Sequence, residues 1–143
     1  MPADTTGKPL QVLDLMLDFF ADDGHWTRER YHDPHGRHCL VGAVLYFSAK
    51  DGLPVMSLLE AALPRRQMGL IAFNDRLCRS AAELRSAILR ARAVALENVK
   101  HEQAAAAFKG RLLAELDRDR AVRKAARCEA PVELSVPALQ RAA

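Results

Sequence analysis

The second half of the chain predicts one long helix around which the other elements must pack. Ser80-Ala81-Ala82-Glu83 has the spacing of a capping box, in which a serine hydroxyl and a glutamate carboxylate satisfy free N–H groups at a helix start. Alanine, the residue with the highest helix propensity, recurs between residues 81 and 126. An apolar stripe follows at spacings of four, three and four, which place its members on one helix face: Leu84, Ile88, Ala91 and Ala95. We therefore expect a helix from Ser80, with Gly110 as the position of a bend or break.

The first half predicts shorter helices and a long loop. Residues 8–22 place apolar and polar side chains on opposite faces at helical spacing. The apolar segment Cys39–Ala49 has the length of a buried helix, although its β-branched and aromatic residues leave a strand open as an alternative. Pro54 favours the start of a further short helix that Pro64 ends. Residues 24–37 are rich in Gly, Pro, His and charge, which predicts a loop long enough to carry function.

These elements predict an all-α fold, a small helical domain of about four to five helices with a long C-terminal helix. A chain of 143 residues, 50% of them apolar, suits one globular core. We expect an N-terminal arm at residues 1–9, a helical core domain at 10–108, a basic helical extension at 109–129 and a flexible tail at 130–143.

Charge placement and cysteine usage bear on where the protein resides. The longest uncharged apolar stretch, His38–Ala49, is shorter than the ~20 residues of a membrane-spanning helix. The first apolar run contains Asp14 and Asp18 and lacks the basic start and the cleavage site of a signal peptide. The three cysteines are odd in number and far apart, which suits a reducing compartment. We therefore expect a cytoplasmic protein that does not associate with membranes.

Basic charge is concentrated towards the C-terminus. The net charge is +3, and residues 80–143 carry twelve basic against eight acidic side chains. Such a segment attracts phosphate or an acidic partner, but mixed charge is also typical of a solvated helix face. If this helix binds nucleic acid, the expected phosphate contacts are Lys109, Arg111, Arg118, Arg120, Arg123, Lys124 and Arg127.

Histidine is concentrated in and directly after the predicted loop, where four of the five in the chain lie within fourteen residues: His25, His32, His35 and His38. Imidazole and thiolate are both zinc ligands, and Cys39 directly follows the last of these histidines. The candidate ligands of a zinc site are therefore His32, His35, His38 and Cys39, although their spacing matches no established zinc pattern. The default expectation is a protein without a cofactor, with zinc as the alternative.

Cys39 is also a candidate nucleophile. At the start of the second helix, the helix dipole and a neighbouring imidazolium would lower the pKa of its thiol. His38 or another loop histidine would then act as the base, oriented by Asn74 or Asp75. The structural alternatives are a small buried cysteine at a helix start and an Asn-Asp pair that forms a turn before the capped helix.

Three short motifs carry a resemblance to a known family: Gly24-His25-Trp26, Gly36-Arg37-His38-Cys39-Leu40-Val41-Gly42-Ala43 and Phe73-Asn74-Asp75. Their Gly-x-x-Cys-Leu-x-Gly-Ala and Asn-Asp pattern resembles that of an uncharacterised bacterial family of small domains, known only as a domain of unknown function. The resemblance covers roughly residues 10–98 and implies a compact helical fold and no established activity. The basic residues from Lys100 onward lie outside it.

The function expected from these patterns is that of a non-enzymatic helical protein-interaction or regulatory module. The long helix offers more apolar surface than a small domain buries by itself, so a protein partner or a second copy would cover the rest. We expect a homo-oligomer, and the expected contact residues are Ala91, Ala95, Phe108, Leu112 and Leu116. The alternatives are nucleic-acid binding by the basic helix and a thiol enzyme or metal site built on Cys39 and the loop His32–His38.

Overall fold

The computed structural model describes residues 8–49, 51–65 and 68–129. Its elements are α1 (Lys8–Phe19), a 3-10 helix (Asp23–His25), α2 (Leu40–Ser48), α3 (Leu53–Ala61), α4 (Leu70–Ala72), a π-helical turn (Phe73–Leu77) and α5 (Ala81–Glu129). No strand forms among the described residues, so the predicted all-α fold with a long C-terminal helix is confirmed and the strand alternative for Cys39–Ala49 is wrong. None of the helices in these ranges combines the length and the apolarity needed to cross a bilayer.

The hydrophobic core lies where α1, α2, α3 and the N-terminal part of α5 meet. Each of these helices contributes fully buried side chains, among them Leu13, Leu40, Leu59, Leu84 and Ile88. Burying one such side chain stabilises a fold by about 1.5–3 kcal/mol. The apolar stripe predicted from Leu84 to Ala95 is therefore the surface that fixes α5 to the other helices.

The start of α5 has the predicted serine cap with one difference. The Ser80 hydroxyl accepts a hydrogen bond from the Glu83 N–H at 3.3 Å, as the capping box requires. The Glu83 carboxylate accepts from the N–H of Arg79 at 2.9 Å, whereas a capping box would use the N–H of Ser80. Asp23 in the 3-10 helix supplies a further cap, because its Oδ1 accepts from the Ala81 N–H at 3.1 Å. The helix start thus depends on a distant residue as well as on its own motif.

The chain divides into two compact units between Glu102 and Gln103, and the predicted domain boundary at residue 108 lies in the second unit. Every described residue of the second unit, 103–129, is exposed. Gly110 lies inside α5 without interrupting it, so the prediction of a break at this position is wrong. A glycine costs a helix interior only about 0.5–1 kcal/mol relative to alanine, and strong helix formers flank this one.

The two ends of the predicted domain scheme fall partly outside the described residues. Lys8 and Pro9, which were expected to belong to an N-terminal arm, are the first residues of α1. The rest of that arm and the predicted tail at 130–143 lie outside the described ranges.

Candidate functional site

The side chain of Asn74 is fully buried at the centre of the first unit and makes four hydrogen bonds. Its Oδ1 accepts from the indole N–H of Trp26 at 2.9 Å and from the backbone N–H of Leu40 at 3.0 Å. Its Nδ2 donates to the carbonyl oxygen of Thr27 at 3.1 Å and to Oδ1 of Asp75 at 2.7 Å. Both donors and both acceptor sites of the amide are therefore satisfied. We call Asn74 and these four contacts the Asn74 anchor.

The π-helical turn explains why Asn74 points inward. The sequence allowed Asn74 and Asp75 to form an open turn, but both lie within the turn Phe73–Leu77, where Phe73 and Asn74 are buried. A π-helical turn holds one residue more than an α-helical turn and is frequent at functional sites. Here the extra residue lets the segment bury a polar side chain next to an aromatic one.

Asp75 extends the Asn74 anchor to the exposed part of the loop formed by residues 26–39. The same Oδ1 that receives the Asn74 amide also accepts from the backbone N–H of Glu29 at 3.0 Å. Glu29 has a φ of 61°, a left-handed conformation that is unfavourable for a residue other than glycine. The carboxylate therefore stabilises the one strained backbone position on this side of the loop.

Gly42 and Cys39 hold the other side of the 26–39 loop. The N–H of Cys39 donates to the carbonyl oxygen of Tyr31 at 3.1 Å, and the Cys39 sulfur accepts from the N–H of Gly42 at 3.3 Å, which caps α2. A Cβ atom on residue 42 would lie 1.8 Å from the Tyr31 carbonyl oxygen. Only glycine at this position allows the loop backbone to approach α2 this closely.

Cys39 and Asp75 line one cavity of about 390 Å³, together with Glu29, Arg30, Tyr31 and Ile71. Two of the four candidate catalytic residues are thus brought together, with Asn74 buried directly behind Asp75. The cavity is a concave surface of the size that small-molecule sites have.

The thiol in this cavity is not activated. Burial raises the pKa of the Cys39 thiol, and the hydrogen bonds from Gly42 and Val41 lower it by less, while the Asp75 carboxylate adds to the rise. Cys39 is therefore protonated at neutral pH, and the predicted lowering of its pKa by the helix start and an imidazolium is wrong. Burial is the largest influence on this thiol, and it disfavours the charged thiolate.

The histidines lie elsewhere. Among the described residues that line the Cys39 cavity there is no histidine, so the structure does not place His38 in that cavity. The His38 ring packs between Tyr46 and Phe19, with ring centroids at 5.0 and 5.4 Å, and its neighbour His32 is at 6.1 Å. His25 places its Nδ1 2.7 Å from the carbonyl oxygen of Phe19.

The predicted zinc ligands do not assemble. His35 is exposed, and its backbone N–H rather than its ring is held, by Asp33 Oδ1 at 3.0 Å. Cys39 lines the cavity just described, whereas the ring of His38 packs against Tyr46 and Phe19. Within the described part of the chain, no group of three or more His, Cys, Asp or Glu side chains is arranged to hold a metal ion.

Thiol reactivity gives a direct check of these environments. Cys39 and Cys78 are buried, and burial is the main reason that the pKa of Cys78 rises to about 12, whereas Cys128 is exposed. At pH 8 we expect a thiol reagent to modify Cys128 at least tenfold faster than either buried cysteine, because the thiolate is the reactive species. Mass spectrometry of the labelled peptides measures the order, and equal or faster labelling of Cys39 would show that it is accessible and activated.

The predicted partner-binding residues separate into two groups. Ala91 and Ala95 are buried in the core of their own chain, so they are not available to a partner. Phe108, Leu112 and Leu116 lie in the second unit and are 61%, 46% and 46% exposed. Leu113, which the sequence-based set omits, is exposed as well, and its position next to Leu112 was the only signal for it.

Most of the basic side chains predicted to contact phosphate share one side of α5. Helical spacing places five of the seven there, and only Arg111 and Arg118 lie on the opposite side; the five are Lys109, Arg120, Arg123, Lys124 and Arg127. Acidic residues are interspersed, and Asp117 is 3.9 Å from Arg120. Mixed charge of this kind is also typical of a solvated helix face.

Comparison with known proteins agrees with the resemblance carried by the loop and helix motifs. No curated protein and no solved structure shows significant similarity to the chain. The model of a family of unknown function, DUF6197, matches residues 4–94, which include Trp26, Cys39, Gly42 and the Asn74-Asp75 pair. The match spans more than half of the chain and leaves out the second unit. The protein belongs to the DUF6197 family of unknown function.

Proposed function

We propose that the chain is a non-enzymatic helical interaction module that self-associates through the C-terminal part of α5. The observation that carries the proposal is the exposed apolar stripe formed by Phe108, Leu112 and Leu116, with Leu113 beside it. These side chains belong to a unit in which every described residue is exposed. Exposed apolar clusters of this kind are typical of surfaces that contact another polypeptide.

A second copy of the chain suits this stripe because a helix stripe is self-complementary. Phe108, Leu112 and Leu116 follow at spacings of four, which places them along one side of α5 where a second helix can pack. Acidic and basic residues flank the stripe, so two copies do not repel each other through one sign of charge. In a two-fold pair the same surface contributes from both sides, which doubles the apolar area that becomes buried.

The apolar area sets the expected strength of association. Covering a half-exposed Leu or Phe contributes roughly 1 kcal/mol, about half the value for complete burial. The stripe supplies only a few such side chains from each copy, and association must also overcome the loss of translational freedom. We therefore expect a dissociation constant between about 1 μM and 1 mM.

Leu112→Glu tests the proposal with a matched control on the same helix. We expect wild-type protein to exceed its monomer mass of 15.8 kDa in sedimentation equilibrium at several hundred micromolar, and Leu112→Glu to remain a monomer. Leu89→Glu is the control, because Leu89 is 51% exposed on α5 but lies in the first unit, off the stripe. A wild-type protein that stays monomeric, or equal loss of association in both variants, would contradict self-association through this stripe.

A further inference from the structure

We propose that His38 makes the packing of the 26–39 loop against the helical core sensitive to acid. Protonation of its imidazole releases the loop from the core. The proposal rests on where the side chain of His38 is packed and on what its backbone holds. It concerns the first unit and is independent of the self-association assigned to α5.

The backbone of His38 joins the two ends of the loop. Its N–H donates to the carbonyl oxygen of His25 at 2.8 Å, and its carbonyl oxygen accepts from the N–H of Thr27 at 3.1 Å. The carbonyl oxygen of Thr27 also accepts a hydrogen bond from Asn74 Nδ2. A displacement of His38 therefore breaks contacts at both ends of the loop and pulls on the Asn74 anchor.

The side chain of His38 is accommodated as a neutral ring. Its Nδ1 is buried and has no hydrogen-bond partner among the described residues. A neutral imidazole can leave one ring nitrogen as a bare lone pair, but the protonated ring carries an N–H on both nitrogens. Protonation would thus add a second N–H and a positive charge to a ring that is packed against Phe19 and Tyr46, and burial makes the charged form unfavourable.

The charged and titratable groups near His38 also favour its neutral form on balance. Burial lowers the pKa of His38, and the like charge of His32 lowers it further, whereas the Tyr31 carbonyl and the Asp33 carboxylate raise it by less. The Asp33 carboxylate already accepts hydrogen bonds from the side chain of Arg37 and from the backbone N–H groups of residues 35 and 37. Three other elements pack near this ring. The 3-10 helix contributes His25, which stacks on the Phe19 ring of α1, and His38 contacts the same Phe19 ring. The helix α2 contributes the Tyr46 ring.

The direction of the pH effect follows from these contacts. The pKa of His38 is lower in the closed loop than the value of about 6.5 that an exposed histidine has, so the released loop binds the proton more tightly. The stability that neutral His38 gives to the closed loop is therefore fully present above about pH 6.5 and is lost as the pH falls below that value.

Amide hydrogen exchange of the full chain tests the proposal. We expect protection of the Thr27 amide to fall about tenfold between pH 7.5 and pH 5.0, after correction for the intrinsic pH dependence of exchange. The upper limit is about thirtyfold, because pH 5.0 lies about 1.5 units below the ordinary pKa of histidine. In His38→Phe, which keeps an aromatic ring and cannot be protonated, protection should not change over this range. His101→Asn, which removes an exposed histidine on α5, should behave like the wild type.

His32→Asn keeps the proposal testable if His38→Phe does not fold. Without the like charge of His32, His38 is easier to protonate in the closed loop, so the loss of protection at pH 5.0 should be smaller than in the wild type. Constant protection of the wild-type Thr27 amide from pH 7.5 to 5.0 would overturn the proposal. An acid-induced loss in His38→Phe, or in His32→Asn, as large as that of the wild type would overturn it as well.

Discussion

Asn74→Ala should lower the free energy of unfolding by about 4 kcal/mol. The change removes all four hydrogen bonds of the Asn74 anchor and leaves the Trp26 indole N–H, the Leu40 N–H and the Thr27 carbonyl without partners. Each buried polar group that loses its partner costs about 1–3 kcal/mol, and water entering the site recovers part of that. Denaturant unfolding followed by circular dichroism measures the loss.

Asn98→Ala is the matched control for this prediction. Asn98 is the other asparagine of the chain and is exposed on α5, so the same substitution there should change the free energy of unfolding by less than about 0.5 kcal/mol. Equal stability of Asn74→Ala and Asn98→Ala would show that the anchor does not hold the fold together.

Gly42→Ala should destabilise the protein by about 3 kcal/mol or more, although alanine is the better helix former. In an exposed helix interior this substitution stabilises by about 0.5–1 kcal/mol. At residue 42 the new Cβ would lie 1.8 Å from the carbonyl oxygen of Tyr31, a backbone atom that moves only if the 26–39 loop moves. The displaced loop would lose the hydrogen bond from Cys39 to Tyr31. Thermal and denaturant unfolding give the sign and the size of the effect.

Gly110→Ala provides the opposite expectation within the same chain. Gly110 also lies inside a helix, but a Cβ atom there would have nothing within 4 Å. Helix content measured by circular dichroism should stay the same or rise in this variant. If Gly42→Ala were as benign as Gly110→Ala, the close approach of the loop to α2 would be refuted.

Local signals in the sequence predicted the helices well. The Ser80 cap and the apolar stripe located the start of α5 to the residue, because both depend on neighbours within one or two turns. The break at Gly110 was wrong for a related reason, since the helix formers on both sides of a single glycine decide the outcome. Apolar residues recur at helical spacing both up to Ala95 and from Phe108 onward, so the spacing by itself did not show where the core ends and the exposed unit begins.

The candidate site depended on contacts that a single sequence does not display. Asn74 meets Trp26, Thr27 and Leu40 across 34 to 48 residues, and a turn was the better local interpretation of an Asn-Asp pair. Cys39 was expected to be activated because the helix start and a histidine are visible locally. Its burial, which reverses the direction of the pKa shift, is set by how the distant loop packs over it. Gly42 of the Cys-Leu-x-Gly-Ala motif was a sequence signal for this close packing. Nothing in the sequence indicated that Tyr31 is the residue that packs against it.

Taken together, these contacts give the motif residues of the first unit a structural role. Asn74, Asp75, Cys39 and Gly42 each hold a different point of the 26–39 loop against the helical core. The second unit carries an exposed apolar stripe at Phe108, Leu112 and Leu116.

The indole N–H of Trp26 tests this role most directly, because Trp26 is the only tryptophan of the chain and gives a single indole signal in a ¹H–¹⁵N spectrum. The hydrogen bond to Asn74 Oδ1 predicts that this proton exchanges with solvent at least a hundredfold more slowly than a free indole, and that Asn74→Ala abolishes the protection while Asn98→Ala leaves it intact. Exchange at the rate of a free indole in the wild-type protein, or full protection in Asn74→Ala, would contradict the account.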